Sequence, residues 1–105
     1  MKTPPAPIVV AALLAVASLH ANDWPQWRGP QRDGISTEKG LLTEWPKEGP
    51  TLLWQRTDIG SGYSTPAIVG DRIYVLGNEG LDDEYVQALD VKDGARGWRT
   101  RLGKA

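Results

Sequence analysis

Four carboxylates, Glu79, Asp82, Asp83 and Glu84, crowd beside Asn78 within one short stretch of this chain. Clustered oxygen donors are what a hard cation such as Ca²⁺ takes. The stretch lacks the Asp-x-Asp-x-Asp-Gly order and distal Glu of an EF-hand, so it reads as a solvated hairpin tip. Four bases, Arg96, Arg99, Arg101 and Lys104, gather near the C-terminus. Arg99 and Arg101 share a strand face and could meet phosphate or an acidic partner. The whole chain carries 12 Lys+Arg against 13 Asp+Glu, which argues against nucleic acid, and a solvated outer strand is the reading. Gly60-Ser61-Gly62-Tyr63-Ser64 sets a serine among glycines, yet it is not the Gly-x-Ser-x-Gly of a nucleophile elbow. Trp24 and Trp27 could stack a sugar or a quinone; packing of their own segment is the reading preferred. The single His is His20, in a leader, and there is no Cys. Triads built on His, His- or Cys-ligated metals and thiol nucleophiles are thereby excluded from the mature chain. No catalytic, cofactor-binding or metal-ligating residue is assigned.

The leader is expected over residues 1–21. Lys2 gives a positive start, and residues 8–19 are apolar or small apart from Ser18. Leu19-His20-Ala21 places a small residue before Asn22, and Ala15-Val16-Ala17 offers a competing cleavage site. This is the layout of a secretion signal, and its apolar run is too short for a comfortable span of ~20 residues. The protein is therefore expected to be secreted or periplasmic, without a lipidated Cys and without a stable membrane span after cleavage. Loss of Lys2 leaves a mature charge of about −2 on about 84 residues, enough for one small domain at most.

The mature chain has two compositions. Residues 22–50 are broken by Pro25, Gly29, Pro30, Gly34, Gly40, Pro46, Gly49 and Pro50, and no apolar period survives. They read as an irregular lead-in, with Trp24, Trp27 and Trp45 expected to pin it to a neighbouring surface. From Thr51 short strands follow: residues 52–57, 65–69, 72–76, 85–90 and 97–102. Gly70-Asp71 and Asp93-Gly94 are hairpin chemistry between them. An acidic loop is expected over residues 78–84, and nothing after Thr51 reads as helix. Trp54 and Trp98 begin similar segments about 44 residues apart, a spacing suited to four-stranded propeller blades.

Ala88-Leu89-Asp90-Val91-Lys92-Asp93-Gly94-Ala95-Arg96-Gly97-Trp98 resembles the repeat motif of the pyrroloquinoline-quinone-type (PQQ-like, quinoprotein) β-propellers, Ala-x-Asp-x-x-Thr-Gly-Lys-x-x-Trp. Ala88, Asp90, Gly94 and Trp98 match it; Asp93 and Ala95 depart from its Thr and Lys. Ser64-Thr65-Pro66-Ala67 and Gly70-Asp71-Arg72-Ile73-Tyr74-Val75 are similar to the first two strands of such a blade. The lead-in, from Asp23-Trp24-Pro25-Gln26-Trp27-Arg28-Gly29-Pro30 to Arg32-Asp33-Gly34, resembles the start of secreted bacterial proteins of this type.

The resemblance implies an all-β fold: one four-stranded blade of a propeller plus the outer strand of a second blade, residues 52–57, after an irregular lead-in. The expected division is a leader over 1–21, the lead-in over 22–50 and an incomplete propeller repeat over 51–105. It implies that Trp98 packs between blades and that Gly94 permits the turn placing it. Two functions follow. One is a non-catalytic scaffold or binding module of the cell envelope, partnered by the remaining blades of a longer chain or by envelope proteins. The other is the N-terminal part of a PQQ-dependent alcohol or sugar dehydrogenase. PQQ and calcium enter only in that second case, because such a site draws residues from several blades. One blade buries its faces only against neighbours, so the chain is expected to be a fragment.

Overall fold

The computed structural model describes residues 22–105, and the expected leader, residues 1–21, lies outside them. Among the described residues, regular structure is confined to four strands: β1, Ala67–Val69; β2, Arg72–Glu79; β3, Asp83–Asp90; and β4, Arg96–Gly103. They form one antiparallel sheet in chain order. No helix occurs among the described residues, so the fold is all-β. Ile73, Tyr74, Val75, Tyr85 and Val86 supply the β-branched and aromatic side chains that suit a pleated sheet. Gly70-Asp71 turns β1 into β2 as expected, and residues 91–95 turn β3 into β4.

The register sorts the side chains into two faces. Ile73 pairs with Leu89, Val75 with Gln87 and Gly77 with Tyr85 on one face. Tyr74, Ala88 and Trp98 line up across the other. The core is small: Val75, Ala88 and Leu89 are its buried apolar residues, joined by a fully buried Gln87.

Residues 52–57 are not a strand. They were expected as the outer strand of a second blade, and instead they begin a strap, residues 54–61, laid across the first face. Side chains anchor this strap. The Trp54 indole Nε1 donates to the Val91 carbonyl at 2.9 Å, and Arg56 Nη1 donates to the Gly94 carbonyl at 3.1 Å. Backbone pairing comes only at its end, where Ser61 and Asn78 exchange bonds of 3.0 and 2.8 Å on the free part of the β2 edge. Alternating Trp54 and Arg56 inward suits a chain lying on a sheet as well as a chain within one. Leu52 and Leu53 are left exposed.

The acidic loop is shorter than expected. Asn78 and Glu79 extend β2, and Asp83 and Glu84 extend β3, leaving Gly80, Leu81 and Asp82 at the tip. Arginines on the neighbouring strand cancel the repulsion that would have frayed these ends: Arg99 pairs with Glu79, and Arg101 with Asp83. β1 starts late, after Pro66, which has no N–H to give to a ladder.

The lead-in is irregular, and one tryptophan docks it. Trp24 exchanges backbone bonds of 2.8 and 2.9 Å with Ile68, and Asp23 Oδ1 accepts from the Gly70 N–H at 2.7 Å. The Trp24 ring lies on Gly29, whose φ of 79° folds the chain back beneath it. Trp27 and Trp45, expected as further pins, are both 70% exposed. β1 offers an edge of three residues, and Trp24 occupies its centre.

Candidate functional site

The strap does not lie flush on the sheet. Between them runs an apolar groove of about 290 Å³, lined by Trp54, Arg56, Ile59, Pro66, Ile68, Ile73, Val75 and Leu89. β1, β2 and β3 supply its floor; the strap and Pro66 supply its walls. Such a hollow admits an apolar group the size of a side chain, near the lower limit for small-molecule pockets.

Arg56 is the single charged residue of the lining. Arg56 holds Asp58 through two bonds of 2.9 and 2.7 Å, and Arg96 reaches Asp58 Oδ2 at 3.2 Å and the Asp58 carbonyl at 3.0 Å. The Arg56 hydrogen bonds hold the Asp58 carboxyl below the ordinary carboxylate range, against partial desolvation, and the charges of Arg56 and Arg96 add to the effect. A lowered folded-state pKa means that this support is complete above the ordinary range and fades as pH falls through the lowered value. Acidification below about pH 4 should therefore loosen the strap. The urea midpoint of Asp58→Asn should fall less on acidification than that of the unaltered chain. Equal acid dependence would show that Asp58 does not tie the strap to β4.

Gln87 stands beyond the groove floor. Its Nε2 donates to the Ile59 carbonyl at 2.8 Å, while its Oε1 is buried without a partner. The amide therefore fastens the strap rather than facing a ligand.

The sequence-chosen groups lie outside the groove lining, though Arg96 reaches Asp58 beside it, and most of the charged ones are paired. Arg99 pairs with Glu79 and stacks over Tyr85, 3.4 Å from the ring centre. Arg101 Nε meets Asp83 at 2.5 Å, and Lys104 meets Asp82 at 3.6 Å. With Arg96 on Asp58, the four bases are each engaged by an acid, and the set makes no free anion site. Of the tip carboxylates, Glu79, Asp83 and Asp82 are engaged in return. Among the described residues no three His, Cys, Asp or Glu side chains converge as a metal site. Ser61 is a backbone partner of Asn78. Trp24 lies on Gly29 and Trp27 has the Arg28 guanidinium 5.7 Å over its ring, so the two do not make one platform.

The groove was missed by sequence reading, since its lining is drawn from Trp54 to Leu89. One signal was available: Gly77, following the run Ile73-Tyr74-Val75-Leu76 inside β2, marks a close backbone approach. No family model, no curated protein and no solved structure matches the chain.

Proposed function

We propose that the chain is an exported PQQ-like β-propeller repeat protein, acting as a non-catalytic scaffold or binding module of the cell envelope. The observation that carries this reading is the register of Ala88, Asp90, Gly94 and Trp98 on a four-stranded antiparallel meander. Each motif residue has a structural task. Ala88 is fully buried between Tyr74 and Trp98. Asp90 Oδ1 accepts from the Lys92 N–H at 2.7 Å and shapes the turn. Gly94, at φ 71°, lies beneath the Trp54 ring. Trp98 is 46% exposed on the face that the strap leaves bare, a position that a neighbouring sheet would cover.

PQQ and Ca²⁺ do not fit the residues present. Of the tip carboxylates, Glu79, Asp82 and Asp83 are held by arginine or lysine, and the groove offers one cation, Arg56, against the three carboxylates of the quinone. The expected location is the periplasm or the exterior, and the expected partners are further blades or envelope proteins. In a diderm bacterium the protein should appear in the envelope fraction with an intact mass beginning near Asn22, and dialysis should show no retained PQQ. A cytoplasmic product that keeps Met1 and Lys2 would overturn export. Stoichiometric retention of PQQ would overturn the non-catalytic reading in favour of a quinoprotein dehydrogenase.

A further inference from the structure

We infer that Glu38 is the acceptor for the mature N-terminus: removal of the leader between Ala21 and Asn22 places the new α-ammonium group on its carboxylate. The inference rests on the export reading above. The Asn22 backbone N–H donates to Glu38 Oε1 at 2.7 Å, across sixteen positions of the chain. Hydrolysis of the preceding peptide bond by an export peptidase takes up one water. Ala21 leaves as a carboxylate, and the Asn22 nitrogen becomes an ammonium near neutral pH. One N–H donor is then three, and a full positive charge faces a carboxylate, which is the stronger kind of hydrogen bond.

Both partners are held by their own segments. Asn22 precedes Asp23, whose Oδ1 accepts from the Gly70 N–H at 2.7 Å, and Trp24, whose backbone exchanges bonds of 2.8 and 2.9 Å with Ile68. The chain then runs out and back. The Gly34 N–H donates to the Arg28 carbonyl at 2.8 Å, the Ile35 N–H to Asp33 Oδ1 at 2.9 Å and the Glu38 N–H to Ser36 Oγ at 3.2 Å. Short turns of this kind, closed by Asp and Ser side chains, return Glu38 to Asn22. Glu38 is half-buried, whereas residues 31–37 are exposed. The small hollow lined by Asn22, Gln31, Ser36 and Thr37 has one charged residue in its lining, Asp23. That residue is an acid, so no cation of the hollow competes for Glu38.

The position of the cut decides the outcome. Cleavage at the competing site, after Ala17, leaves residues 18–21 ahead of Asn22, and its nitrogen stays a neutral amide. Cleavage after Ala21 closes the loop 22–38 with a charged clasp.

An exposed pair adds little to stability, so the reactivity of the amine is the readout. The intact mass of the exported protein gives its first residue, expected to be Asn22. Trace acetylation with acetic anhydride near neutral pH then follows the amine on the tryptic peptide 22–28, which contains no lysine. An ammonium held by a carboxylate gives up its proton less readily, and only the free amine is acylated. Glu38→Gln should therefore be labelled about three- to tenfold faster than the unaltered protein, the equivalent of ~0.5–1 pH unit in the titration of the amine. Glu38→Lys should be faster again, Glu44→Gln should match the unaltered protein, and urea should erase the differences. Equal labelling of Glu38→Gln and the unaltered protein would overturn the inference and leave export standing, as would a mass that begins at Ser18. A mass that retains Met1 would overturn the export reading itself, and the inference with it.

Discussion

Gly77→Ala should cost about 3 kcal/mol of stability, because the added methyl has nowhere to go. Its Cβ would fall inside the Ile59 carbonyl and only 3.3 Å from the Gly60 Cα. Both neighbours are backbone, so no rotamer change relieves the overlap. The strap must lift. Lifting breaks the Ser61–Asn78 pair and the bond from Gln87 to Ile59. Gln87 is then buried with neither end of its amide bonded to protein, itself worth about 1–3 kcal/mol. Small domains have only about 5–15 kcal/mol in hand. Urea unfolding followed by tryptophan fluorescence reads the loss as a lower midpoint. Gly34→Ala is the control: nothing lies within 4 Å of its Cβ, and its φ of 74° leaves only backbone strain, about 1–2 kcal/mol. A Gly77→Ala midpoint no lower than that of Gly34→Ala would show that the strap does not rest on β2.

Trp54→Ala should cost about 2–3 kcal/mol, less than a fully buried tryptophan because the ring is half-buried. Trp54→Phe should keep most of the packing and lose about 1 kcal/mol with the bond to Val91. The partner substitution separates two effects at one glycine. Gly94→Ala is strained by its φ of 71°, and it also drives a methyl into the Trp54 ring, 2.8 Å from Cδ2. Removing the ring removes the collision and leaves the strain. The double variant should therefore be less destabilised than the two singles together, with a coupling of about 1–2 kcal/mol. Strict additivity would show that the ring and the turn do not touch.

The hairpins were legible in the sequence because their signals are local. Gly70-Asp71 and the Asp93-Gly94 turn sit between alternating apolar runs, and each specifies its own geometry. Residues 52–57 were misread because period-two alternation reports only that alternate side chains are covered. It does not say whether the backbone between them is paired. Here the covering is done by Gly94 and Val91, far along the chain, and the pairing is absent. The ends of β2 and β3 were misread for the converse reason. Glu79 and Asp83 look like loop residues until Arg99 and Arg101, on a strand further on, neutralise them. The groove needed all these placements at once.

The strap and the Trp24 contact also set an order in time. The hairpins β2–β3 and β3–β4 join neighbours in sequence and can close early, as local contacts do. The tryptophan-bearing half joins partners well downstream: Trp24 waits for Ile68, Trp54 for Val91 and Gly94, Ile59 for Gln87. A chain that emerges N-terminus first, as from a ribosome, therefore presents Trp54 and the Trp24 backbone before the segments they dock on exist. That interval is when the polypeptide is most exposed to capture or clumping, and it ends when the turn at Gly94 arrives.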